Sequence, residues 1–112
     1  TGERLDHVLG CLRFVSQANN LNIVLITDEV AAWMLRGKLT RQFAIPKYHA
    51  LSWFGLPEAG PCSLSGVKWP FRNRKLRADG FHSLSNEPTS EKISLSQSAG
   101  KSVLVISLKP QK

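Results

Sequence analysis

"VAAWMLRGKLTRQFAI", residues 30–45, holds two short strand-like runs, "VAAWMLR" and "LTRQFAI", separated by the break "RGK". Runs of this length, rich in β-branched, aromatic and aliphatic residues and stopped by glycine, belong to strands rather than helices. The same punctuation continues to the end of the chain. "HALSWFGL" (49–56), "CSLSGVKW" (62–69), "KLRAD" (75–79), "KISLSQ" (92–97) and "SVLVISLK" (102–109) are divided by the turn signals "GLPEAGP", "WPFRN" and "SNEPTS". Many short strands between Gly/Pro breaks predict an antiparallel sandwich or barrel. In "SVLVISL", Val103, Val105 and Ser107 fall on one face and Leu104, Ile106 and Leu108 on the other. A strand apolar on most of both faces belongs at the centre of a sheet or against a partner.

Upstream of this region the pattern changes. In "RLDHVLGCLRFVSQANN" the apolar residues Leu5, Val8, Leu9, Leu12 and Val15 recur at steps of three and four, the stripe of an amphipathic helix. Glu3 and Asp6 would complement the exposed amides of its first turn, and "ANN" is a plausible stop. "NIVLITD" follows, a β-branched run of the kind found in fully buried strands. One helix and one strand cannot cover both faces of a sheet, so this piece reads as the end of an α/β layer. Residues 1–28 are therefore expected to be the terminal helix and strand of an α/β domain, and residues 29–112 a β-sandwich.

The bulk composition narrows the function classes. The 112 residues are 42% hydrophobic and 21% charged, enough apolar material for a core and too little charge for whole-chain disorder. No apolar run approaches the roughly 20 residues of a membrane span, and "TGERLDHVLG" lacks the layout of a signal peptide. A cytoplasmic protein with no membrane partner is the expectation. The two cysteines, Cys11 and Cys62, make neither a disulfide framework nor a zinc site and read as buried free thiols. The formal charge of +7 implies attraction to something anionic, or a solvated basic surface.

Two short stretches carry candidate chemistry. "GERLDH" puts Arg4, Asp6 and His7 at a helix start, where amides favour anions, a guanidinium clasps phosphate and a carboxylate holds Mg²⁺ or takes a proton. Equally, Asp6 there would simply cap the first turn with Arg4 as its partner. "FHSLSNEP" (81–88) gathers Ser83, Ser85 and Asn86 beside a proline, which is either a surface connection or a row of hydrogen-bonding groups facing a ligand.

"GERLDH", "WFGLPEAGPCSLSGVKWPF" and "SLSNEP", in this order and spacing, resemble the carboxy-terminal half of thiamine pyrophosphokinase (thiamine diphosphokinase). The resemblance covers essentially the whole chain, and "SGVKWP" combined with "SNEP" is its most specific part. It implies a homodimer, each chain having an α/β ATP-binding domain and a β-sandwich that binds thiamine, with the substrate site at the subunit interface. It also implies the reaction: the hydroxyethyl oxygen of thiamine attacks the β-phosphorus of Mg·ATP, giving thiamine diphosphate and AMP. By resemblance, Asp6 is the Mg²⁺ ligand or the proton acceptor, Arg4 contacts phosphate, and His7 supports that corner. Trp69 offers a flat face to the cationic thiazolium, while Ser83, Ser85 and Asn86 hydrogen-bond the aminopyrimidine. The acidic residues of the family's amino-terminal half have no counterpart in these residues, so the 112 residues alone are expected to be inactive.

The remaining conspicuous residues read as structural. Trp33 and Trp53 lie in strand patterns and belong in the core, His49 and His82 lack metal-ligand spacing, and Glu58 reads as a turn residue. Arg72, Arg74, Lys75 and Arg77 read as a solvated strand edge; Lys68 points either at phosphate or at solvent. The competing reading is a small basic β-barrel that binds single-stranded nucleic acid on aromatic platforms. Its weakness is that aromatics make up only 8% of the chain and lack a regular spacing.

Overall fold

The computed structural model of the protein describes residues 21–27, 29–45 and 49–107. Eight strands form one antiparallel, curled sheet: β1 Leu21–Ile26, β2 Val30–Arg36, β3 Leu39–Phe43, β4 Leu51–Ser65, β5 Phe71–Arg77, β6 Ser83–Asn86, β7 Ile93–Gln97 and β8 Gly100–Ser107. The mainly β, antiparallel class expected from the sequence is thus the observed one. The helix expected from the "RLDHVLG" stripe lies outside the described residues. Leu21–Ile26 is a strand and pairs antiparallel with β2. Among the described residues no helix is long and apolar enough to cross a membrane.

Strand order is β1-β2-β8-β4-β7-β3, with β5 and β6 also paired to β4. β8 lies between β2 and β4, the central position that its two apolar faces predict. The inward rows run straight across three strands: Ala31, Ile106 and Leu51; Trp33, Leu104 and Trp53; Leu35, Ser102 and Gly55. Every side chain in the first two rows is essentially inaccessible to solvent. Cross-strand stacking of large residues on one face is what fixes such a register, because a one-residue slip would turn the whole row outward.

β4 is the organising strand and departs most from expectation. "HALSWFGL" and "CSLSGVKW" were expected as two strands around a "GLPEAGP" turn; a single strand of 15 residues runs through both. Its first part, Leu51–Gly55, pairs with β8 and β6, and its last part, Cys62–Ser65, with β7 and β5. Between them the register slips on both sides, at Gly55/Ala59 toward β8 and at Ala59/Cys62 toward β5. Pro57 and Pro61, each preceded by a cis peptide bond, fall in this bulged section, where a missing N–H breaks no ladder bond. Their carbonyls still accept, from Ala78 N–H at 2.9 Å and Ser98 N–H at 3.1 Å. A bulged strand that changes partners along its length is how one sheet turns a corner onto itself.

Glu58 is consequently a strand residue, not a turn residue, and it meets β5. Arg77 Nη2 is 3.2 Å from its carboxylate and Lys75 Nζ 4.0 Å. These pairs are half exposed, so each contributes under about 1 kcal/mol. Beside the same bulged section lies a buried polar chain: Trp53 Nε1 donates to Ser102 Oγ (2.8 Å), which donates to Gln97 Oε1 (2.6 Å). Gln97 Nε2 in turn donates to the Gly37 carbonyl at 2.9 Å, closing the turn between β2 and β3. Trp33 and Trp53 are core residues, as expected. Cys62 is a free, fully buried thiol, as expected; burial pushes its pKa up to about 12, so it is protonated at neutral pH and is no nucleophile. Cys11 lies outside the described residues.

Candidate functional site

The stretches "SGVKWP" and "SNEP" are 17 residues apart from Trp69 to Asn86, and the fold zips them together. β4 ends at Ser65, and Gly66 takes a left-handed backbone (φ 83°) where a Cβ would run into the Lys92 carbonyl. Only glycine makes that turn without strain. The chain then runs antiparallel to residues 87–89. Lys68 N–H donates to the Glu87 carbonyl and Thr89 N–H to the Gly66 carbonyl, both at 2.9 Å, around an isolated bridge between Val67 and Pro88. The two motifs are halves of one local structure, which is the physical reason for their occurring together.

Asn86 locks that structure. It is completely buried. Its Oδ1 accepts from Trp69 N–H and from Glu87 N–H, both at 3.0 Å. Its Nδ2 donates to the Trp69 carbonyl and to Ser83 Oγ, both at 2.9 Å. An amide side chain has two donor hydrogens and two acceptor lone pairs, and all four are spent on the protein. In this structure Asn86 therefore fixes the backbone of Trp69 on both sides; contact with a ligand would require one of these bonds to open.

The Trp69 ring so held is 54% exposed and forms one wall of a pocket of about 340 Å³. Leu84, also largely exposed, and the half-buried Phe71 and Phe81 supply the other apolar walls. Phe81 stands edge-on to Phe71 at 5.2 Å, and Phe71 lies 5.9 Å from the core Trp53, so the pocket wall is anchored in the interior. Ser83 is buried at the pocket, accepts from Asn86, and keeps its own O–H for donation.

Trp69, Ser83 and Asn86 are thus brought together at this pocket. Ser85 is not: it is exposed, has a left-handed backbone (φ 51°), donates its N–H to Ser52 Oγ at 2.9 Å and does not line the pocket. In a regular strand Ser85 would share a face with Ser83; its left-handed backbone interrupts that alternation, so β6 reads buried, exposed, exposed, buried. Arg4, Asp6 and His7 lie outside the described residues.

Two residues that line the pocket, Arg74 and His82, were not anticipated as ligand-facing. Arg74 places its guanidinium 3.9 Å from the Phe81 ring centre and lines the pocket, rather than merely solvating a strand edge. His82 lines it too. Lys68 lies over the Trp69 ring, its Nζ 4.8 Å from the ring centre, a choice between phosphate and solvent that the sequence left open. Strand alternation alone does not single out Arg74, because β5 is bulged at Asn73 (φ 53°), whose N–H donates to Ser63 Oγ at 2.9 Å. Beyond such a bulge the inside and outside faces exchange. Among the described residues no three His, Cys, Asp or Glu side chains gather closely enough to hold a metal ion.

No family model matches the sequence, and no curated protein is similar enough to count as a relative. Solved structures do match. Thiamine pyrophosphokinase from Bacillus subtilis superposes with a TM-score of 0.69 over 96% of this chain and 51% of its own, at 22% identity. The thiamin pyrophosphokinase of Geobacillus thermodenitrificans gives 0.67 over 96% and 50%, at 20% identity. That of Candida albicans gives 0.64 over 96% and 39%, at 15% identity. The chain spans about half the length, or less, of the enzymes it matches. At these identities the common property is the fold, and the resemblance carried by the motifs is met at that level: the chain has the antiparallel β fold found in part of the thiamine pyrophosphokinases.

Proposed function

We propose that this chain is the thiamine-binding part of a thiamine diphosphokinase, a cytoplasmic enzyme that transfers a pyrophosphoryl group from ATP to thiamine. The observation that carries the reading is Trp69: a large aromatic plate, more than half exposed, yet fixed at both backbone atoms by a buried asparagine and set in a pocket with apolar walls. Exposing an indole forgoes its burial energy, and holding it rigid while exposed pre-organises a stacking surface. A flat heteroaromatic ligand fits that surface. A pocket of about 340 Å³ is within the usual range for small-molecule sites.

In this reading the chain binds and orients. Trp69 and Phe81 define the slot for the rings, Ser83 donates to a ring nitrogen, and Asn86 acts as a positioning residue that sets the angle of the indole. Binding in one orientation leaves the hydroxyethyl arm free to reach ATP, and the gain is the pre-arranged approach of nucleophile and phosphorus. ATP and Mg²⁺ belong to the same proposal. The ion, when bound with ATP, neutralises charge on the phosphates. Asp6 and Arg4, with His7, are the residues of this chain that the motif resemblance places near them. A homodimer with the pocket at the subunit boundary completes the proposal.

The test is calorimetric titration of thiamine into the protein and into Trp69→Ala. Loss of the stacking face should weaken binding about 2- to 30-fold, the equivalent of ~0.5–2 kcal/mol, with the far-ultraviolet dichroism unchanged. Equal affinities for the two proteins would remove Trp69 from the site and with it the observation on which the reading stands.

A further inference from the structure

The pocket's aromatic faces are already attended by cations. Lys68 Nζ lies 4.8 Å over Trp69, and the Arg74 guanidinium lies 3.9 Å from the centre of Phe81, both well inside the range of cation–π attraction. No acidic residue lines the pocket among the described residues. Glu58, the acid closest in register to β5, is engaged with Lys75 and Arg77. A positively charged ring entering this slot gains from the indole but meets the Arg74 guanidinium in the lining, with Lys68 beside the indole, and no carboxylate. An anionic group carried by the same ligand would meet both cations.

We propose that the pocket's preferred ligand is an aromatic cation esterified to phosphate or diphosphate, held by Arg74 and Lys68, rather than the unphosphorylated cation. The proposal rests on the thiamine reading above and sharpens it: the site would retain phosphorylated thiamine, the product, more tightly than the substrate. Arg74 is suited to this because its planar fork binds phosphate oxygens in pairs while its face stays on Phe81. Lys68 has only to swing from the indole toward the phosphate, leaving the ring face to the thiazolium. The residues that would discriminate are therefore Arg74 and Lys68, whereas Trp69 and Ser83 serve both ligands alike.

The experiment is titration of the protein with thiamine, thiamine diphosphate and inorganic diphosphate, followed by calorimetry and by Trp69 fluorescence, at low and moderate salt. Thiamine diphosphate should bind about tenfold more tightly than thiamine at low salt, since charge-assisted hydrogen bonds to phosphate add to ring stacking. The advantage should shrink with salt, as expected for half-exposed charges, and in Arg74→Gln the ratio of diphosphate to thiamine affinity should fall to about one. If Arg74→Gln does not fold, Lys68→Gln provides the same comparison. Thiamine binding as tightly as its diphosphate would overturn the inference and leave the thiamine reading standing. Inorganic diphosphate binding in the absence of any thiamine or thiamine diphosphate binding would show an anion site with no place for the rings and overturn both readings, as would silence from all three probes.

Discussion

Asn86 carries no charge and touches no solvent, yet it does more to define the site than any residue that faces the pocket. Its amide replaces backbone partners that Trp69 and Glu87 do not find elsewhere, so truncation strands buried donors and acceptors as well as losing bonds. Asn86→Ala should cost about 2–4 kcal/mol in urea unfolding and should lower the fluorescence anisotropy of Trp69. A change under ~0.5 kcal/mol with the indole still rigid would show that the clamp is not what holds it. Asparagine at this position was legible in the sequence as important; its role was not. A one-dimensional pattern shows an amide next to serines, but whether its four hydrogen bonds are spent on protein or left for a ligand depends on what lies 17 residues upstream. Ser85, next to it, looks equally suitable in sequence, and the left-handed backbone that interrupts β6 at this residue separates it from the pocket.

At the scale of elements, β4 and β5 set the geometry. They cross so closely at Gly55 that a Cβ there would strike the Leu76 carbonyl and the Glu58 backbone. Both obstacles are main chain and cannot swing aside. Gly55→Ala should therefore cost at least about 2 kcal/mol in chemical unfolding, as overpacking against fixed atoms does. Gly37 is the control. It also has a special backbone (φ 69°), but open space surrounds its missing Cβ, and Gly37→Asn should cost under about 1 kcal/mol because asparagine tolerates that conformation. Equal losses at the two positions would mean that close approach is not the constraint at Gly55. The break "RGK" was readable from glycine alone. The merging of "HALSWFGL" and "CSLSGVKW" into one strand was not, since proline and glycine mark a turn and a bulge with the same letters.

At the scale of the whole molecule, the chain matches about half or less of each enzyme named above, and binding and turnover are separable properties. The 112 residues, assayed with thiamine and Mg·ATP, should form no AMP at a rate comparable with an intact thiamine pyrophosphokinase; comparable turnover would show that catalysis needs nothing beyond them. The class of fold and the tryptophans of its core follow from the order of residues alone. Hydrophobic alternation and turn residues are local signals with a fixed period, and they place Trp33 and Trp53 inside and residues 102–107 at the centre of a sheet without reference to anything distant. Which polar and charged residues share a pocket is settled by the folded arrangement instead. Arg74, Phe81, Ser83 and Trp69 meet because β4 turns a corner and β5 carries a bulge, and both events depend on pairing between segments far apart in the chain. Such pairing leaves no periodic trace in either segment alone, so the site's charge, which sets its ligand preference, emerges only when the strands are brought together.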